Sequence, residues 1–243
     1  LDRVIKQNTE NVNLLKTKDY NIFSVLQIQS KEVLICRMTA DLLNPRGQHG
    51  AGAEYLKIFL KDCLGMEKMD TKLADQAIVT AEYAIDDERR IDIVIEMGSH
   101  FLPIEVKIYA ADQKSQCFDY YQYAKRRDAQ AKVYYLTLDG HRPGKDSTSS
   151  GSQSVPEEDI VCLSFREHIL NWLKACKSCE NTGMVPILEQ FIQNIEQISG
   201  YISEKVRNMV IDELLKSGDS LRAGMQIADS INAAKAKRFC SKL

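Results

Sequence analysis

Asp92, Glu105 and Lys107, within the stretch RRIDIVIEMGSHFLPIEVK over residues 89–107, have the residue types and spacing for hydrolysis of a phosphodiester. Two carboxylates can hold a hard cation such as Mg2+ through oxygen while leaving it several waters. The carbonyl of Val106 offers a further ligand. Such an ion acidifies a bound water and polarises a phosphoryl oxygen. Lys107, beside that water, would orient it and stabilise negative charge developing in the transition state. The bland alternative is a solvated polar strand face on which Asp92 pairs with Arg90 and Glu105 with Lys107. Aspartate is a poor strand former, and its place inside an isoleucine run calls for a reason.

Two strands must carry these residues. Ile91, Ile93 and Ile95 alternate with Asp92, Val94 and Glu96, and Leu102, Ile104, Val106 and Ile108 alternate with Pro103, Glu105 and Lys107. Both runs have period two, and Gly98-Ser99 between them suits a tight hairpin turn. Facing residues then sum to a constant, so Asp92 faces Glu105 and Arg90 faces Lys107. The isoleucines form one wholly apolar face, and the carboxylates and lysine share the other. Like charges directly opposite each other on a sheet destabilise it unless a cation lies between them.

The surrounding pattern is that of an α/β chain. A helix is expected from Lys31 to Leu43, with Glu32 in its first turn and Asn44-Pro45 and Gly47 as its stop. A second helix follows over Ala53 to Leu64 and ends at Gly65. Residues 76–85 read as a first strand, and residues 1–30 as a helical lead-in. Asp112 is a candidate N-cap for a helix over Gln113 to Arg127, and Ala131 to Leu138 reads as the next strand. Strand, helix and strand there make a βαβ unit, which implies a mixed sheet. Residues 139–159 lack periodicity and read as a mobile loop. Ile160 to Leu163 is a short strand and Phe165 to Cys176 a helix. Beyond Asn181-Thr182-Gly183 the chain is helical in pattern over 185–198, 201–216 and 219–238. A core over 1–180 and a helical C-terminal region over 181–243 are therefore expected.

Composition narrows the class without naming a partner. With 243 residues, 44% of them hydrophobic, the chain can bury a sizeable core, and a formal net charge of -2 excludes a globally basic nucleic-acid coat. No apolar run reaches the roughly 18 to 20 residues that span a bilayer, and the N-terminus lacks a secretory layout, so a cytoplasmic protein with no membrane partner is expected. Seven scattered cysteines read as reduced thiols. Cys176-x-x-Cys179 has no second pair at zinc-finger spacing. His49 is a lone loop histidine near the Glu32 helix. Lys125, Arg126, Arg127, Arg142 and Lys145 are candidate phosphate contacts, although a basic helix end more often complements the dipole. Neither a G-x-x-x-x-G-K-[ST] phosphate loop nor a G-x-S-x-G elbow is present, which disfavours an ATPase or a serine hydrolase.

Asp92 followed by Glu105-Val106-Lys107 on the next strand resembles the core of the PD-(D/E)XK nuclease superfamily. Glu32 matches an acidic residue that members place near the metal, and Gln116 with Tyr120 matches a Q-x-x-x-Y pattern found on the helix after the lysine strand. Residues 31–64 and 89–175 are similar to one uncharacterised prokaryotic branch. Ile91 stands where the superfamily's name puts proline, a position that is not a ligand.

The resemblance implies a restriction-endonuclease-like fold, a mixed central β-sheet flanked by helices. It also implies a Mg2+- or Mn2+-dependent nuclease acting on nucleic acid, DNA above all. Asp92, Glu105, Val106 and Glu32 would hold the metal, Lys107 would act on the water, and Gln116 and Tyr120 would support the lysine or a substrate phosphate. A non-catalytic nucleic-acid-binding or protein-interaction module that keeps the fold is the alternative reading. A homodimer is a candidate assembly.

Overall fold

The computed structural model describes residues 20–240 apart from 68–69, 180–181 and 202–203. The helical lead-in expected over residues 1–30 lies outside the described residues as far as residue 19. Its described part forms a single turn, α1 (Ile22–Val25), capped by the Asn21 side chain, which accepts from the Phe23 amide at 3.0 Å.

The two helices before the sheet form where expected, as α2 (Glu32–Leu43) and α3 (Glu54–Asp62). Both present an apolar stripe inward: Ile35, Cys36, Ala40, Leu42 and Leu43 from the first, and Tyr55, Leu56, Phe59 and Leu60 from the second, are buried. A short helix that the periodicity did not signal, α4 (Thr71–Asp75), follows, capped by Asp70 on the Lys72 amide at 2.9 Å.

Then come the strands β1 (Ile78–Ala84), β2 (Arg90–Met97) and β3 (His100–Lys107), the helix α5 (Gln116–Arg127) and β4 (Val133–Thr137). Residues 139–159, expected as a loop without regular structure, carry a helical turn, α6 (Lys145–Thr148), and a small hairpin of β5 (Ser149–Ser150) and β6 (Gln153–Ser154). Long-range hydrogen bonds, which leave no periodic trace in sequence, hold this segment. Ser115 Nα donates to the Asp146 carbonyl at 2.7 Å, Ser115 Oγ to the Ser149 carbonyl at 2.8 Å, and the Cys117 amide to Ser147 Oγ at 3.3 Å. After β7 (Ile160–Ser164), a π turn at Phe165–Ile169 leads into α7 (Leu170–Lys177).

The sheet order is β1-β2-β3-β4-β7, antiparallel through β3 and parallel from β3 to β7. The mixed sheet expected from the βαβ pattern is therefore present. The β2–β3 ladder runs from Ile93↔Ile104 to Met97↔His100, the register predicted from the turn. Gly98 has φ 58, as the first central position of a type II′ turn requires.

Helices cover both faces. Ile93, Ile95, Leu102, Ile104, Val106 and Ile108 join the main core with α2, α3 and α7. Val94 and Phe101 bury against α5 through Cys117 and Tyr120, together with Tyr135. Ile91 joins this second cluster and not that of Ile93, so the expected single isoleucine face is broken at Asp92.

The helix α8 (Val185–Ser199) packs into the main core through Leu188, Phe191, Ile192 and Ile195, with Phe191 stacked on Phe23 at 5.5 Å. Asn21–Tyr201 is one compact unit. It thus extends beyond residue 180 and includes the first helix of the region expected as C-terminal. The helices α9 (Glu204–Leu215) and α10 (Gly218–Cys240) pack on each other in a second unit. Among the described residues no helix is long and apolar enough to cross a membrane.

Candidate active site

The end of the β2–β3 ladder is where a side chain takes over from main-chain pairing. Beyond Ile93↔Ile104 the Val106 amide donates to Asp92 Oδ2 at 2.7 Å. The carboxylate thus occupies a site that a strand carbonyl would otherwise fill, which accounts for an aspartate in mid-strand.

Glu105 and Lys107 point to the same side of β3, and both are buried, at 1% and 7% exposure. The Lys107 ammonium forms an ion pair with Glu105 Oε1, and Glu105 Oε2 has no hydrogen-bond partner among the described residues. Buried carboxylates almost always have such partners, so this one has unused acceptor capacity. Arg90 is exposed and does not pair with Asp92 among the described residues.

Charge and burial work against each other here. Burial pushes the Glu105 carboxyl well above its usual range, the charge of Asp92 pushes it further, and Lys107 opposes both. Asp92 is raised by burial and by Glu32, against the Val106 hydrogen bond. For Lys107, burial favours the neutral amine, but Glu105, Asp92 and Glu32 outweigh it and raise the pKa. The site has more negative charge than its one lysine balances, which is the electrostatic condition for taking up a cation.

Glu32 reaches the same place from α2, where its Oε2 accepts from the Ile108 amide at 2.8 Å. The structure therefore brings Asp92, Glu105, Lys107 and Glu32 together at one end of the sheet. Gln116 and Tyr120 are near but otherwise engaged. Gln116 Nε2 donates to the Tyr120 hydroxyl at 3.1 Å, and that hydroxyl donates to the Arg90 carbonyl. They anchor the start of β2, so the expected hydrogen bond from either residue to Lys107 is absent among the described residues. Burial, then the Glu105 charge, raises the Tyr120 pKa.

Asp112, expected to cap α5, does not. Ser115, with φ 56, holds the N-cap position, and its side chain does not cap the helix. Asp112 instead accepts from the Tyr135 hydroxyl and from the Gly144 amide, both at 2.7 Å, and so fastens the segment after β4.

His49 is a loop staple. Its Nδ1 accepts from the Ala51 amide at 3.0 Å, its Nε2 lies 2.9 Å from the Asn44 carbonyl, and its ring stacks on Tyr55 at 4.7 Å. Lys125 pairs with Asp159 at 3.1 Å, Arg127 pairs with Glu96 at 2.8 Å, and Arg142 donates to the Glu157 carbonyl at 3.1 Å. Cys176 and Cys179 are free thiols.

One acidic residue escaped the sequence reading. Glu82 lies between the β1–β2 pairs Ala81↔Ile93 and Tyr83↔Ile91, opposite Asp92. Its φ is 53, and Arg37 of α2 pairs with it at 2.6 Å. Counting the β1 register outward from the hairpin would have placed it there, whereas nothing local signals its backbone conformation.

Among the described residues no three His, Cys, Asp or Glu side chains gather at metal-ligand spacing. The available donors are a pair of carboxylates, one of them buried with unused acceptor capacity, and this is the hard-oxygen set that suits an ion retaining much of its water. The residues present fit such an ion.

No curated protein and no solved structure matches the chain. A family model matches residues 20–203, nearly the span of the compact unit around the sheet, and on that match the chain belongs to the PD-(D/E)XK nuclease superfamily.

Proposed function

We propose that this protein hydrolyses phosphodiester bonds of nucleic acid, DNA above all, as a Mg2+- or Mn2+-dependent endo- or exonuclease. The observation that carries the reading is Glu105, buried beside Asp92 and Lys107 with Oε1 in an ion pair to the lysine and Oε2 without a hydrogen-bond partner among the described residues. Asp92 and Glu105 would hold the ion, with the Val106 carbonyl and Glu32 as further oxygen donors. When bound, it would acidify a water and polarise the phosphoryl oxygen.

The chain's own residues supply the rest. Asp92 is kept in place by the Val106 amide. Lys107, charged because the surrounding carboxylates raise its pKa, orients the attacking water and stabilises the charge that builds on the phosphoryl oxygens. Gln116 and Tyr120 hold the β2 main chain, and with it Asp92.

Purified protein incubated with plasmid, linear and single-stranded DNA tests this directly. Wild type should cleave at least one of them with Mg2+ or Mn2+ and none in chelator. Lys107→Ala and Asp92→Asn, the second nearly isosteric, should each lose at least about 100-fold in rate. Cleavage by either variant at the wild-type rate would refute the assignment.

The second reading, a non-catalytic nucleic-acid-binding or protein-interaction module on the same fold, draws on the Lys107–Glu105 ion pair, since an internal cation already faces the buried carboxylate. It predicts no cleavage and no Mn2+ affinity.

A further inference from the structure

The β registers place more acid at the site than the sequence motif does. Glu82 on β1 stands opposite Asp92 on β2, and Asp92 stands next to the Ile93↔Ile104 pair, in line with Glu105 on β3. Three carboxylates thus form a row across three adjacent strands. Burial pushes the thiol of buried Cys36 up, and the charges of Asp92, Glu32, Glu105 and Glu82 push it further.

Glu82 holds this position at a conformational disadvantage. At φ 53 it is a non-glycine residue in the left-handed region in mid-strand, where an L side chain crowds its own main chain. The chain changes faces at this residue: Ala81 packs with the main core and Tyr83 with the second cluster. Both Nε and Nη2 of Arg37 contact Glu82 Oε2, at 3.1 and 2.6 Å, and among the described residues the Nη1 donors have no partner. The Arg37 side chain is 58% exposed. A strained residue whose carboxylate, among the described residues, bonds only an exposed arginine beside a reactive site points to a use for that arginine.

Resting on the nuclease reading, we propose that Arg37 binds a backbone phosphate of the substrate next to the one attacked, and that Glu82 is the positioning residue that aims its guanidinium. The chemistry favours arginine here. A polyanion approaching a row of acids needs a fixed cation at its edge, and a guanidinium fork matches phosphate oxygens. An exposed pair such as Arg37–Glu82 is weak in water, so the unused donors can engage phosphate while Glu82 keeps its hold. Lys125 and Arg127 are less suited, because they are tied to Asp159 and Glu96 and rest on aromatic rings.

Two measurements on the intact protein test this: DNA cleavage with Mg2+ for KM and kcat, and anisotropy of a labelled oligonucleotide without divalent ion across a salt series. Arg37→Ala should raise KM about tenfold, more than it lowers kcat, and reduce the slope of log affinity against log salt by about 0.7 to 0.9, one phosphate's share. Arg37→Lys should keep that slope and recover part of the KM. Glu82→Gly suits the left-handed conformation, so it should fold with unchanged or higher Tm and still raise KM. A cleaving wild type whose KM and salt slope survive Arg37→Ala, or whose KM survives Glu82→Gly, overturns the proposal and leaves the nuclease reading standing. A wild type that neither binds nor cleaves removes both.

Discussion

Glu105 sets the balance of the site because it is a buried acid whose one cationic partner among the described residues is Lys107. Removing the lysine alone leaves an uncompensated buried charge, whereas removing both charges need not. Lys107→Met should therefore lower stability by about 3 kcal/mol in urea unfolding, and Glu105→Gln added to it should recover most of that loss. The acid also imposes a pH dependence on the metal-free protein. Its native pKa is raised above the usual 4.5, so over the interval between the two values the native state holds a proton that the unfolded chain has released. Stability should fall as pH rises from about 4.5 through the native pKa. Thermal melts of Glu105→Gln should show a shallower fall over that interval, and equal slopes would contradict the assignment. Both residues were legible as candidates because alternation and a two-residue turn fix which side chains face each other. Their burial was not, since it depends on α5 folding back over that face.

At the level of elements, hydrophobic periodicity located α2, α3, the hairpin and the βαβ unit, and their ends shift by only a residue or a few. Elements held by specific hydrogen bonds escaped it. The segment after β4 reads as a polar loop because its Ser, Gly and Asp residues are chosen for bonds to Asp112, Ser115 and the Cys117 amide, and none of these contacts has a period. Asp112 looked like a cap for the same reason: an aspartate before an apolar helix is a local signal, and its true partners, Tyr135 and Gly144, are distant. Asp112→Ala should cost about 1 to 3 kcal/mol through the orphaned Tyr135 hydroxyl and Gly144 amide. In hydrogen exchange, protection should drop over residues 144–155 while β2 and β3 stay protected. Loss of protection throughout the sheet would mean that Asp112 supports the core instead.

At the scale of the molecule, the family match over 20–203 and the compact unit Asn21–Tyr201 nearly coincide, and that unit carries every residue assigned to the site. It should fold without the helices that follow. The single tryptophan reports on this, since Trp172 is fully buried and donates to the Tyr55 carbonyl at 2.8 Å. A fragment spanning residues 20–203 should keep the blue-shifted emission of the full chain, and red-shifted emission would show that the core needs the second unit. Near-neutral net charge gave no sign of a nucleic-acid partner, because 32 basic and 34 acidic side chains nearly cancel over the whole chain and hide the local charge of the site. On the proposed function, the paired carboxylates at the end of β2 and β3 form a cation site. Calorimetric titration of the metal-free protein with Mn2+ tests it most directly: wild type should show saturable binding that Asp92→Asn weakens at least about tenfold without loss of fold, whereas no binding, or equal binding by both proteins, would contradict it.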